Sequence, residues 1–341
     1  MKAVTGREAT VRVNDLSKTY YPSPGWMKML IRSNIKKEVV ALDHIGFEVG
    51  PGEICAVVGP NGAGKTTTFR ILIGLTTLSS GEASVMGYDC TSQSVAIRRA
   101  VGWMPAEDRS LIMRLSCAEN LRFHGRLQGL KGDELKGRIR DTLSKVGLAH
   151  AAESSVFALS AGMRARLQLA RALLHDPRVL ILDEPTGSVD PVASHELLNL
   201  IISIVEEQKL AALISSHRLE EIEALHSHAI LLDKGQIRYD GDLDTLRLDL
   251  DRPMVELVFA TPAAAEQASA RLAPTDLGTV LAVDDLLVHI LLTGGTGVGQ
   301  LLNGLGDLTV ELEHVRELKT PLRDLLAQMY QRGRESTEVT Q

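Results

Sequence analysis

The stretch Gly59-Pro60-Asn61-Gly62-Ala63-Gly64-Lys65-Thr66 sets glycines, a lysine and a hydroxyl at the spacing G-x-x-x-x-G-K-[ST]. Those residue types in that order can hold a polyphosphate. Glycines let backbone N–H groups turn inward with no Cβ in the way. A helix opening at Lys65 adds the partial positive charge of its N-terminus. Lys65 can reach the outer phosphates, and the Thr66 hydroxyl can ligate Mg²⁺. The bland alternative is a glycine-rich turn with an incidental lysine. Against it stands the context: the wholly apolar run Ile54 to Val58 ahead of the motif and a helical pattern after it, the strand–loop–helix setting this chemistry requires.

A second group of candidates lies at Val179-Leu180-Ile181-Leu182-Asp183-Glu184. Four apolar residues ending in two acids read as a buried strand that delivers carboxylates at its carboxyl end, where ligands collect in open α/β sheets. Asp183 suits a metal held through water, and Glu184 suits a base for an attacking water. Upstream, Leu159-Ser160-Ala161-Gly162-Met163 opens a long helical pattern, and downstream Ile214-Ser215-Ser216-His217 sets a histidine just past a short apolar run. Taken singly, these two are weak signals: a serine helix cap and a structural histidine.

The elements that must carry these residues alternate. Val11 to Leu16, Val39 to Val49, Ile54 to Val58, Val101 to Met104, Val179 to Leu182 and Leu210 to Ile214 read as strands. Helices are expected from Lys65 to Ile73, over Ser116 to Val146 with breaks at Gly129 and Gly132, from Ser160 to Leu174, and from Pro191 to Glu207 behind an Asp190 cap. Such alternation implies a mainly parallel sheet covered on both faces. The remainder reads as a smaller unit: strands Met254 to Phe259, Thr279 to Val283, Leu286 to Leu292 and Leu308 to Leu312, with helices Pro262 to Leu272, Val298 to Leu305 and Pro321 to Arg332.

Composition narrows the classes. With 341 residues, 44% hydrophobic and 23% charged, the chain is neither disordered nor fibrous. Its net charge of −6 lacks the basic footprint of a dedicated nucleic-acid binder. Cys55, Cys90 and Cys117 lie too far apart for a C-x-x-C site and are expected as reduced, buried or half-buried thiols. The first ten residues show no signal-peptide pattern, and the longest apolar stretches are too short to span a bilayer. His226-Ser227-His228 has no third ligand nearby in sequence, so no metal is expected there.

The ordered set of phosphate loop, signature pentapeptide, acidic strand, Asp190 and His217 resembles the nucleotide-binding subunit of ATP-binding cassette (ABC) transporters, over about residues 8 to 246. Leu-Ser-x-Gly-Met is similar to the type-2 exporter branch. The resemblance implies an α/β fold: a P-loop ATPase cassette with a mainly parallel sheet core, an antiparallel β subdomain and a helical subdomain, followed by a small α+β domain. It implies ATP and Mg²⁺ as ligands. Gly59, Pro60, Asn61, Gly62, Ala63, Gly64, Lys65, Thr66 and Thr67 would then bind phosphates, with Thr66 on Mg²⁺. Asp183 would assist the metal, Glu184 would be the general base and His217 would contact the γ-phosphate. Tyr20 would stack on adenine, with Tyr21 as the competing choice. Ser160 and Gly162 would bind ATP held by a second copy, and Asp190 would sit at the dimer seam. Transmembrane permease subunits would be the other partners, placing the chain at the cytoplasmic face of the plasma (inner) membrane, with no nucleic acid expected.

The implied division is a cassette over 1–247, with an insertion at 21–38 and a helical subdomain at about 107–160, and a regulatory or dimerising domain over 248–341. The insertion mixes Trp26, Met27, Leu30 and Ile31 with lysines and arginines; a surface excursion is the plainer reading, and contact with a membrane surface or a partner helix the sharper one. Candidate cargos are a polysaccharide, a lipid-linked glycan or a drug-like molecule. The alternative class, a soluble ABC-type ATPase acting on nucleic acid or ribosomes, is opposed by the absence of a long heptad run between Thr66 and Ala158 and by the single cassette.

Two positions depart from the family pattern. Ala161 stands where a second glycine is usual. After Val101 to Met104, where such cassettes carry a glutamine, the chain reads Pro105-Ala106-Glu107-Asp108-Arg109. Spacing to Leu115 favours Glu107 as the replacement and as a metal-side group; spacing from Pro105 favours Ala106. A carboxylate there adds negative charge beside a triphosphate. Glu107→Gln is therefore expected to lower the Mg²⁺ concentration giving half-maximal ATP turnover, and an unchanged requirement in a magnesium titration would count against Glu107 at the metal.

Overall fold

The computed structural model describes residues 9–21, 38–106, 110–225, 228–242, 254–293 and 296–318. Residues 22–37 of the expected insertion, Glu107, His226 and the helix over Pro321 to Arg332 lie outside them. The chain divides into two compact units, Met1–Gly241 and Asp242–Gln341.

The first unit holds two sheets. One is antiparallel and four-stranded, in the order β2-β1-β4-β5, from β1 (Val11–Tyr20), β2 (Val39–Val49), β4 (Ser80–Val85) and β5 (Tyr88–Asp89). The other has six strands in the order β10-β9-β3-β8-β7-β6: β3 (Ile54–Val58), β6 (Val101–Met104), β7 (Val179–Asp183), β8 (Ala211–Ser216), β9 (His228–Asp233) and β10 (Gln236–Asp242). Within it β3, β6, β7, β8 and β9 run parallel. Every residue of β7 and β8 is buried, which explains the apolar runs 179–182 and 211–214 that precede their polar ends. One core cluster spans both sheets, from Val11 and Leu42 to Phe69, Ile181 and Ile230. Helix α1 (Lys65–Leu72) carries Phe69 into it, edge-on to Trp103 at 6.3 Å.

The helical part comprises α3 (Cys117–Leu127), α4 (Gly132–Lys145) and α5 (Ala161–Leu173), with α2 (Ser94–Ala100) before β6. A capping box opens α3: Ser116 Oγ accepts from the Glu119 N–H at 3.1 Å, and Glu119 Oε2 accepts from the Ser116 N–H at 2.8 Å. The fully buried Asn120 bonds both the N–H and the C=O of Ile112, pinning the loop ahead of α3. Helix α6 (Pro191–Gln208) begins at its Asp190 cap with Pro191 in the first turn and ends at Lys209, whose φ of 54° stops it. The short α7 (Leu219–Ala224) follows β8.

Spellings with low strand propensity hid part of this. Ser80-Gly81-Glu82-Ala83-Ser84-Val85 looks like a loop, yet it forms β4 because β1 supplies the pairing edge.

The second unit is an antiparallel sheet in the order β12-β13-β11-β14, made of β11 (Met254–Phe259), β12 (Gly278–Asp284), β13 (Leu287–Leu292) and β14 (Leu312–Leu318). Helices α8 (Pro262–Leu272) and α9 (Val298–Leu305) add Ala265, Ala268, Leu272, Leu301 and Leu305 to its core. One expectation is corrected here. Leu308 to Leu312 is not a strand: Gly306 at φ 57° leads into a 3-10 turn over Gly306–Glu311, and the strand starts at Leu312 opposite Phe259. The alternation of Leu308 and Val310 imitated a strand, but it sets one residue in the core and the other in solvent at 89% exposure.

The three cysteines are free and buried; burial raises all three thiol pKa values, that of Cys90 to about 12. Among the described residues, no helix is long and apolar enough to cross a membrane.

His228 ties the edge of the larger sheet. Its Nδ1 lies 3.0 Å from Glu53 and its Nε2 2.5 Å from Asp240. Hydrogen bonds to Asp240 and then Glu53 raise its pKa to about 9 against the lowering by burial. A histidine whose pKa is raised on folding adds stability in full below about pH 6.5, and that stability is lost as pH climbs toward 9. We expect roughly 2–3 kcal/mol to disappear between pH 6 and pH 9 in urea unfolding of the native chain. His228→Gln should lack that component; parallel pH profiles for the two proteins would refute this account.

Candidate functional site

Three neighbouring parallel strands end at one level. Val58 of β3 pairs with Ser216 of β8, and Asp183 of β7 pairs with Ser215 of β8. The phosphate-loop strand, the histidine strand and the acid strand therefore discharge side by side, though Gly59, Asp183 and His217 are far apart in sequence.

The loop after β3 is built for close approach. Gly59 cannot carry a side chain: a Cβ there would lie 2.1 Å from the Leu232 carbonyl oxygen. Gly64 sits at φ 115°, and a Cβ on it would meet Leu42 Cδ2 at 2.6 Å and Ala41 O at 2.8 Å. Helix α1 starts directly behind it, capped by Gly64 with no side-chain bond, a helix start of the kind that suits an anion. Lys65 is buried, and its Nζ donates to Gly59 O at 2.6 Å and Pro60 O at 3.3 Å. Burial lowers its pKa, while Glu184 and Asp183 oppose that shift.

Asp183 is 2% exposed and both its oxygens are satisfied. Thr66 Oγ1 donates to Oδ2 at 2.9 Å, and Ser215 Oγ donates to Oδ1 at 2.6 Å. Ser215 Oγ also accepts from the Glu184 N–H at 2.9 Å. Glu184 holds a left-handed backbone at φ 50°, a conformation costly for a residue with a Cβ and frequent where function requires it. Its Oε2 lies 3.3 Å from His217 Nδ1. Glu184 thus faces the end of β8, beside the loop and helix start that surround the phosphate cradle.

Other expected residues lie elsewhere. Ser160 caps α5, its Oγ accepting from the Met163 N–H at 3.2 Å, and it is exposed. Asp190 caps α6 through the Ala193 N–H at 3.0 Å and is exposed. A Cβ on Gly162 would come 3.1 Å from Ala193 Cβ, so the two capped helices pass closely at that point. Tyr20 ends β1, with the Lys18 ammonium 4.9 Å from its ring centroid; Tyr21 is 66% exposed. Asn61, Gly62 and Ala63 form the turn of the loop, closed by the Ala63 N–H on Pro60 O at 3.1 Å, and Thr67 lies in the first turn of α1. A small pocket of about 140 Å³ is lined by Pro105, Ala106, Ala161, Glu184 and Val189. No group of three or more metal-binding side chains occurs among the described residues.

Sequence reasoning passed over two groups. Ser215 read only as the end of an apolar strand, yet it orders both acids. Glu221 carried no motif, yet it is a buried carboxylate that accepts from the hydroxyl of Ser216, the residue before His217. The one available signal was the Ser-Ser-His spelling after an otherwise apolar strand, where hydroxyls in a buried run need partners.

Residues 42–187 match the model of the family described as ABC transporter. The chain is 36% identical over 211 residues to the ABC transporter ATP-binding protein NatA of Bacillus subtilis, spanning 62% of this chain and 85% of that one. It is 39% identical to the Nod factor export ATP-binding protein I of Cupriavidus metallidurans, spanning 61% and 69%. In fold it is similar to the dimeric structure of a post-hydrolysis state of the ATP-binding cassette MJ0796 bound to ADP and Pi. That likeness has a TM-score of 0.59 at 22% identity and covers 68% of this chain and 98% of that one.

Replacing Ser215 leaves a buried Asp183 oxygen without its donor. Ser215→Ala is expected to cost about 1–3 kcal/mol of stability, read as a lower urea midpoint with an unchanged slope. An unaltered midpoint would show that the hydroxyl is dispensable to Asp183.

Proposed function

The chain belongs to the ABC transporter family as an ATP-binding, ATP-hydrolysing subunit of the exporter type, and from that premise we propose how its residues divide the work. The observation that carries the proposal is the meeting of Glu184, His217 and the Asp183–Thr66 pair at three adjacent strand ends beside the phosphate loop.

ATP lies along residues 59–67, with Tyr20 against the base. Helix α1 and Lys65 offer positive charge to the phosphates, and Lys65 exchanges its loop carbonyls for phosphate oxygens. Mg²⁺ fits the donor set, since Thr66 and Asp183 bring hard oxygen ligands together at the foot of the loop. When bound, it neutralises charge on the phosphates. Glu184 takes a proton from the attacking water, and its raised backbone angle aims the carboxylate out of the strand. His217 orients Glu184 and donates to the outer phosphate. Most of the rate enhancement in such a site comes from placing these charges before reaction, not from covalent chemistry.

One copy leaves the cradle open on one side. The exposed, serine-capped start of α5 offers N–H donors to an anion, so Ser160 and Gly162 close over ATP held by a second copy, with Asp190 at the seam. Nucleotide then favours the closed pair, and hydrolysis releases it. Permease subunits dock where the helical part leaves apolar surface. A groove of about 220 Å³ lies between α3 and the β6 edge, lined by Val101, Trp103, Leu127 and Leu174, with Leu127 and Leu75 largely exposed at it. The chain would thereby sit at the cytoplasmic face of the membrane. A relative named for Nod factor export supports export as the direction, with a polysaccharide, a lipid-linked glycan or a drug-like molecule as candidate cargos. The second unit serves regulation or dimerisation.

Glu184→Gln should retain ATP affinity while turnover falls about 10²–10⁴-fold, and ATP-dependent dimers should accumulate in light scattering. Phosphate release at the native rate in that variant would remove Glu184 from the role of base.

A further inference from the structure

Glu221 is a buried charge to which the mechanism gives no task. It lies on α7 at 8% exposure. Its Oε2 accepts from the hydroxyls of Thr186 and Ser216, both at 2.7 Å. Its Oε1 faces Arg218 Nη1 at 3.2 Å. Taking a carboxylate out of water is costly unless its oxygens are satisfied, and a buried ion pair is weak evidence for stability. What the three donors have in common is their position.

Thr186 stands two residues beyond Glu184, in a turn closed by the Gly187 N–H on Glu184 O and the Val189 N–H on Thr186 O, each at 3.0 Å. Ser216 directly precedes His217, and Arg218 directly follows it. The Arg218 guanidinium also reaches Val189 O and Ser194 Oγ at 3.4 Å, on either side of Asp190. One carboxylate therefore grips the His217 turn from both flanks and binds it to the turn that leaves Glu184. By comparison, Glu184 and His217 meet directly across 3.3 Å with side chains 25% and 49% exposed. The buried link is the firmer of the two.

We infer that Glu221 is a positioning residue for the reaction: it sets the separation of the Glu184 and His217 turns, and it carries displacement of the Asp190 segment to His217. The inference rests on the roles given above to Glu184 and His217. A fully hydrogen-bonded buried network of this kind has few alternative arrangements, so the two turns move together when Asp190 meets a second copy.

The test uses the full chain in single-turnover ATP hydrolysis, with ATP affinity measured alongside. Glu221→Gln and Thr186→Val are each made alone and on a His217→Ala background. Each single variant is expected to lower the hydrolysis rate about tenfold or more while ATP affinity stays within about twofold. On the His217→Ala background the further loss should shrink to about twofold or less, the mark of residues acting as one unit. Thr186→Ser, which keeps the hydroxyl, should restore most of the rate. A rate within twofold of native in the single variants would overturn the inference. So would a loss of the same size on the His217→Ala background, or a parallel fall in ATP affinity. Thr186→Val keeps the charge and the side-chain shape, and carries the test if Glu221→Gln does not fold; failure of both to fold would make the network structural and overturn the inference too. Native turnover in His217→Ala alone would instead remove the underlying role of His217, which separates the two failures.

Discussion

Two hydroxyls on one buried carboxylate hold the candidate site together. Thr66 comes from the helix behind the phosphate loop, Ser215 from the middle strand, and Asp183 from the acid strand. Hydrogen bonds to an ionised group contribute more than neutral ones, about 1.5–3 kcal/mol each, and a buried carboxylate that loses a donor is penalised again. Neither neighbour of Asp183 can drift without exposing that cost. The arrangement works only because the parallel register sets Asp183 opposite Ser215 and Val58 opposite Ser216. Interstrand spacing of roughly 5 Å then places the loop, the histidine and the acids within one short span.

Around that fixed centre the chemistry is unevenly distributed. Lys65 and the start of α1 concentrate positive charge on one side, and Glu184 and His217 close a second. The remaining proposed contributors, Ser160 and Asp190, are exposed caps at the starts of α5 and α6. A site that borrows its last donors from another copy can use nucleotide as a reversible bond between subunits, which is the switching behaviour proposed for this chain. The Glu221 network gives that switch a physical route inside one subunit, since the segment bearing Asp190 and the turn bearing His217 share a buried anchor. The strained backbone at Glu184 belongs to the same logic: a residue held off its preferred conformation is held there by everything packed around it.

The sequence alone determined whatever depends on near neighbours. The glycine at position 64 follows from a local backbone at φ 115° that disfavours a Cβ; Ser160 and Asp190 announce helix starts because a side-chain oxygen must meet an N–H three residues on; the apolar runs that open β7 and β8 announce strands buried on both faces. Hence the phosphate loop, both acids, His217 and the family resemblance were legible before any fold was known. Legibility failed where spelling and environment part company. Ser80 to Val85 became a strand through its partner, and Leu308 to Leu312 lost one to a turn. Only the tertiary structure decided that β8 lies between β3 and β7, that Ser215 serves Asp183 and Glu184 together, and that Glu221 joins the turns on either side. The reason is physical. Strand order and buried polar partnership are set by contacts between segments remote in the chain, 117 residues apart for Thr66 and Asp183, and no local pattern encodes which distant hydroxyl will satisfy a buried carboxylate.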